Sequence, residues 1–116
     1  MTNYANGATF ERKVAALLIT DGYLVMRSSG SHGEADLVAL KPGQVLLVQC
    51  KSNGRLDPGD WNGLHEVAER VGAVALLAHR PAPGKVVYWR LTGPKVTRGK
   101  APYEEWTADE VVSGGQ

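Results

Sequence analysis

Two apolar runs of strand length, Glu34-Ala35-Asp36-Leu37-Val38-Ala39-Leu40 and Val45-Leu46-Leu47-Val48-Gln49-Cys50-Lys51, flank the four residues Lys41-Pro42-Gly43-Gln44. Pro fixes φ and Gly tolerates a positive φ at the next position, so the pattern predicts a β-hairpin with its loop at 41–44. Leu40 then stands opposite Val45, Val38 opposite Leu47, Asp36 opposite Gln49 and Glu34 opposite Lys51. Directly opposed Cβ atoms lie about 5 Å apart, so two acids, an amide and an ammonium converge on one face at the open end. A slip of one residue would send Asp36 and the Gln49–Lys51 pair to opposite faces. Elsewhere both faces are apolar, with Val38, Leu40, Val45 and Leu47 on one and Ala35, Leu37, Ala39, Leu46, Val48 and Cys50 on the other. Strands of this kind are covered on both sides, usually by helices. A lysine and carboxylates at the edge of such a sheet carry a desolvation cost unless they are paired or bound to a metal. A chemical site and a partly solvated ion-pair cluster both satisfy that requirement.

The rest of the chain supplies the covering elements. Phe10, Val14, Leu17 and Leu18 recur at i, i+4, i+7 and i+8, which predicts a core-facing helix over Ala8–Thr20, after the breaker Asn6-Gly7. Glu11 falls beside Leu18 at the edge of the stripe, while Arg12 and Lys13 point elsewhere. Asp21-Gly22 ends this helix. Tyr23–Arg27 reads as a strand, and Ser28-Ser29-Gly30-Ser31-His32-Gly33 as a small polar loop leading to the hairpin. Such loops commonly carry binding residues, and a plain turn has the same composition. After the hairpin, Ser52–Leu56 is a loop with a further cation, Arg55. Asp57-Pro58 starts a second helix as N-cap and first position, Trp61, Leu64, Ala68 and Val71 make its stripe, and Gly72 stops it. Ala73–His79 is apolar throughout and predicts a central strand reached by a crossover. Val86–Leu91 reads as a fifth strand, and Thr107 as the cap of a short helix over 108–112.

Length and composition fit one domain with its own core: 116 residues, 43% hydrophobic and 22% charged. No apolar run approaches the roughly 20 residues of a membrane span. The first residues, Met1-Thr2-Asn3-Tyr4-Ala5-Asn6, lack the basic-then-apolar order of a signal peptide, so the expected location is the cytoplasm, that of a host if a phage encodes the chain. One cysteine forms no internal disulfide, and Cys50 reads as a small buried hydrophobe. Net charge is only +1, but Lys85, Arg90, Lys95, Arg98 and Lys100 form a stretch without an acid. Such one-sign charge tracks a phosphate backbone or simply solvates a loop. His32 has no partner at metal-ligand spacing, and His65 and Glu69, four apart, lack a third ligand.

The order helix, strand, hairpin, helix, strand, strand, with Asp36, Gln49 and Lys51 clustered, resembles the PD-(D/E)XK nuclease superfamily, and within it the archaeal-type Holliday junction resolvases also found in phages. Gly7-Ala8-Thr9-Phe10-Glu11-Arg12 resembles that family's helix opening, Arg27 to Ala39 its signature loop and strand, and Val48-Gln49-Cys50-Lys51-Ser52 stands where it usually has Glu-x-Lys. The resemblance runs from about residue 7 to 80. It implies an α/β, restriction-endonuclease-like single domain over 1–116, a central mixed five-stranded sheet flanked by helices, with its core at about 7–91 and a basic C-terminal segment and short helix over 92–112. It implies a homodimer that nicks opposed strands of a four-way DNA junction with Mg²⁺ or Mn²⁺. Glu11, Asp36, Gln49 and the Cys50 carbonyl would surround the metal, Lys51 would assist the attacking water, and Ser31 would touch the scissile phosphate. Arg12, Arg27, His32 and Arg55 would contact DNA. The departure is Gln49, whose amide oxygen brings no charge. Glu34 either compensates, or the site is metal-poor or without catalysis. Another endonuclease of the superfamily and a DNA-binding module without chemistry are the competing readings.

Overall fold

The computed structural model describes residues 2–28, 35–96 and 100–108, with side chains from Gly7 onward. Ser31, His32 and Glu34, and all but the first residue of the helix expected over 108–112, lie outside the described residues. The elements are α1 (Thr2–Thr20), β1 (Leu24–Arg27), β2 (Leu37–Lys41), β3 (Gln44–Cys50), α2 (Pro58–Val71), β4 (Val74–His79), β5 (Val87–Leu91) and β6 (Tyr103–Trp106). The described strands form one mixed sheet ordered as in the chain, β1-β2-β3-β4-β5-β6. Only β3 and β4 are parallel, and α2 lies in the crossover that joins them. The described residues thus make an α/β fold with six strands rather than five. The added strand carries the sequence Tyr-Glu-Glu-Trp, whose paired acids hide its strand character. In the sheet they lie opposite Trp89 and Arg90, and the Arg90 guanidinium binds Glu104, with 2.7 Å from Nε to Oε2.

The hairpin has the register expected from the Pro-Gly turn: Leu40 pairs with Val45, Val38 with Leu47 and Leu37 with Val48. The strands extend to Lys41 and Gln44, leaving Pro42 and Gly43 as the turn, with Gly43 at φ +75°. Pro followed by a positive-φ Gly is the signature of a type II turn. Helix α2 starts at Pro58 under the Asp57 cap, whose side chain accepts from the Asp60 N–H, and closes through Gly72 at φ +73°. Trp61, Leu64 and Ala68 are buried as expected, whereas Val71, in the last turn before the Gly72 cap, is exposed.

Helix α1 departs more from its pattern. It runs through Asn6-Gly7, because an isolated glycine costs a helix only about 1 kcal/mol. Phe10, Val14, Ala15 and Leu18 are buried, while Leu17 is 39% exposed. At about 100° per residue the buried arc is therefore rotated away from Leu17 and toward Ala15. That rotation carries Glu11 from the edge of the stripe to its interior, between Leu18 and Ala15 in angle. The α1 side of the sheet buries Leu37, Ala39, Leu46, Val48, Leu76, Ala78 and Tyr88, and the other side buries Leu47, Ala75, Leu77 and Leu91 with the α2 residues. Both faces of the β2–β3 hairpin are thus covered.

Candidate active site

The open end of the hairpin is a bulge built around Asp36. Val48 stands opposite Leu37, yet its carbonyl also accepts from the Asp36 N–H at 2.8 Å, so two residues of one strand face one of the other. Packing shows the same parity break, since Ala35 joins Val38 against the α2-side cluster although the two are an odd number of residues apart. Simple alternation had placed Ala35 with Leu37 and Asp36 squarely opposite Gln49. The extra residue instead takes Asp36 out of the alternation. Its Oδ2 accepts from the Cys50 N–H at 2.8 Å, so a carboxylate replaces a backbone rung of the ladder. The Asp36 carbonyl accepts from Ser28 N–H at 2.9 Å, which ties the bend to β1 as well.

Burial pushes the Asp36 pKa above the ordinary carboxylate range, and the Cys50 N–H and the Lys51 ammonium pull it partly back. Lys51 is exposed, one residue beyond β3, with its N–H given to the Ala78 carbonyl at 3.0 Å. On the α1 side Glu11 Oε1 faces Arg27 Nη2 at 3.4 Å. The Cys50 thiol packs against the α1-side core, and its pKa is raised by burial first and then by Asp36 and Glu11, with Arg27 opposing. Both carboxylates and the guanidinium thus act on this one thiol through their charge. Cys50 is only partly buried rather than buried, and its raised thiol pKa agrees with the expectation of a hydrophobe and not a nucleophile.

Gln49 is half-buried and abreast of Leu77 on β4, on the face of Leu47. Arg12 is exposed on α1 and turned away from the core, and Arg55 is exposed on the loop after Lys51. His65 and Glu69 form an ordinary i, i+4 pair at 3.6 Å. Among the described residues no three His, Cys, Asp or Glu side chains come together as a metal-holding group. With Gln at position 49, Glu11 and Asp36 are the carboxylates that the described residues supply there.

Two features of this region had no sequence signal. Gly54, at φ +74°, sits against His79, where an added Cβ would lie 3.3 Å from Nδ1. Lys95, one cation among several in the tail, gives its ammonium to the Leu56 carbonyl at 2.7 Å, 39 residues away in the chain.

A family model described as "Archaeal holliday junction resolvase (hjc)" matches residues 2–111. The crossover junction endodeoxyribonuclease Hjc of Methanocaldococcus jannaschii is 42% identical over 52 residues, covering 45% of this chain and 38% of that protein. A UPF0102 protein of a Bradyrhizobium species is 41% identical over 81 residues, 66% of this chain and 57% of that one. The chain thus spans about half the length or less of these two curated relatives. The crystal structure of Archaeoglobus fulgidus Hjc, a Holliday junction resolvase, superposes with a TM-score of 0.63 at 21% identity, over 77% of this chain and 80% of that one. That likeness shows the fold, and the family model, which takes in the Asp36 bulge, Gln49 and Lys51 together, shows the kinship: the chain belongs to the archaeal Holliday junction resolvase family.

Proposed function

We propose that this chain is a divalent-metal-dependent endonuclease that resolves four-way DNA junctions by hydrolysing phosphodiester bonds. The observation that supports it most is Asp36, a half-buried carboxylate held by the Cys50 N–H and under the influence of the Lys51 ammonium. A carboxylate kept in that setting at a cost in desolvation is suited to a hard cation, which would relieve the cost. Glu11, Asp36, the Gln49 amide oxygen and the Cys50 carbonyl are oxygen donors of the kind Mg²⁺ or Mn²⁺ takes. Bound there, the ion would acidify water and neutralise charge on the phosphate.

The side chains supply the remaining work. Lys51 sets a positive charge beside Asp36, where it stabilises a hydroxide and the developing charge on phosphate oxygens. Arg27 pairs with Glu11 and, with Arg12 and Arg55, offers charge to the DNA backbone; Ser31 and His32, outside the described residues, add further DNA contacts. A homodimer gives two such centres related by a two-fold axis, matching the symmetry of a junction. The place of action is the cytoplasm, and no helix among the described residues is long and apolar enough to cross a membrane.

The test is a synthetic four-way junction incubated with the protein and Mg²⁺ or Mn²⁺, beside linear duplex of the same sequence. Paired nicks in opposed strands, suppressed by chelator and absent from the duplex, are expected. Equal cutting of the duplex would assign a different nuclease on this fold. Gln49, with its missing charge, favours one second reading, a junction-binding protein of weakened activity. That reading predicts salt-sensitive binding that survives chelator without cleavage.

A further inference from the structure

Lys51 has two neighbourhoods. One is Asp36; the other is a cleft of about 430 Å³ that it lines together with Arg55, Leu56, Asp57, Asp60 and Lys95. Lys51 is thus the residue that the cleft and the proposed catalytic centre have in common. Three cations line it against two carboxylates.

Its near wall is a tight turn. The Gly54 N–H donates to the Lys51 carbonyl at 2.8 Å and the Arg55 N–H to Asn53 Oδ1 at 2.9 Å, which returns Arg55 to the wall that carries Lys51. His79 supports this turn from beneath Gly54, and is itself packed on Trp89 with 4.0 Å between ring centroids.

The far wall comes from a segment that belongs to no strand or helix and is nevertheless bolted down. Lys95 N–H donates to Asn62 Oδ1 at 2.7 Å, and Asn62 Nδ2 returns a bond to the Lys95 carbonyl at 3.2 Å. Trp61 Nε1 holds the Gly93 carbonyl at 2.9 Å, and its ring lies 5.3 Å from the Lys95 ammonium. Lysine side chains at a surface normally keep their rotamer freedom, and this one has given it up in advance. An ammonium carries three donors, more than the single Leu56 carbonyl takes up. The two acids stand at the start of α2: Asp57 accepts from the Asp60 N–H, and the positive end of the helix offsets their charge.

We propose that this cleft is a second DNA-phosphate subsite, in which Arg55 and Lys95 contact a backbone phosphate flanking the scissile one while Asp60 keeps the strand on the Lys51 side. The proposal rests on the nuclease reading. With Lys95 already held and the backbone of the Arg55 turn already bonded, the two cations receive one phosphate with only the Arg55 side chain left to order, and the contact carries no sequence preference.

The experiment is a salt titration of junction affinity, with chelator present to block cleavage, for the wild-type chain and for Arg55→Gln, Lys95→Gln, Lys95→Arg and Asp60→Asn. Arg55→Gln and Lys95→Gln should each weaken binding about threefold to tenfold near physiological salt and reduce the slope of log affinity against log salt by about one. Lys95→Arg should keep the wild-type slope, and Asp60→Asn should bind more tightly than wild type. Arg55 is an exposed loop side chain, so its variant folds whatever the role of Lys95. If Lys95→Gln lowers the melting temperature while both Gln variants keep the wild-type slope, Lys95 is only a strut and the subsite is disproved. If the wild-type chain itself fails to bind the junction in the same titration, the nuclease reading falls, and the cleft falls with it.

Discussion

The two ends of the β2–β3 hairpin are made from the same two strands and solve their polar accounting in opposite ways. At the closed end the polar side chains meet one another: Lys41 pairs with Gln44 across the turn, the Tyr23 hydroxyl donates to Gln44 Oε1, and the Lys41 ammonium lies 4.3 Å over the Tyr23 ring. At the open end a backbone rung is missing, and Asp36 fills it with a carboxylate that burial makes costly to ionise. The closed end contributes stability alone. The open end gives up stability for a negative charge in a fixed place, as functional sites commonly do.

Asp36 offers the largest break in that contrast. Asp36→Asn keeps an oxygen for the Cys50 N–H but removes the charge, so junction cleavage should fall by about 10²–10³-fold or more. Its stability should move the other way. The native pKa is raised above the unfolded one, so the ionised carboxylate costs stability at pH above the native pKa, and that cost disappears below the unfolded pKa. Metal-free thermal melts from acid to neutral pH should show Asn more stable than wild type at neutral pH and the difference vanishing in acid. Asp36→Ala sharpens the point, because it leaves the Cys50 N–H without its acceptor. Denaturant unfolding should place it about 1–3 kcal/mol below Asn.

The closed end should answer with the smallest effect and no functional one. Gly43→Ala meets nothing within 4 Å, so only its φ of +75° is penalised, at about 1 kcal/mol. Cleavage rates measured well below the melting temperature should match wild type. A loss of cleavage in Gly43→Ala would mean that the two ends are not separable.

Much of this fold was legible because its signals are local and redundant. Pro42-Gly43 fixed the register, Asp57-Pro58 and Gly72 fixed both ends of α2, and the apolar run before His79 marked the central strand. The bulge was not legible, since Glu34-Ala35-Asp36-Leu37 alternates as well as an unbulged strand would, and only the second bond to the Val48 carbonyl breaks the count. The rotation of α1 was hidden for a similar reason. Ala15 is too small to weigh in a hydrophobic stripe, and the sheet decides whether it or Leu17 is covered. Lys95 could not be assigned from spacing at all, because its partners are Leu56, Trp61 and Asn62, more than 30 residues upstream.

The strands lie side by side in the order in which they are synthesised. Apart from the α2 crossover, each new strand extends the sheet by turning back on the one before it, so little loop-closure entropy is lost at any step. The hairpin that carries Asp36 and Lys51 can thus form from its own residues before the tail bearing Lys95 has been made. The chemistry would be assembled early, and the grip on the nucleic acid completed last.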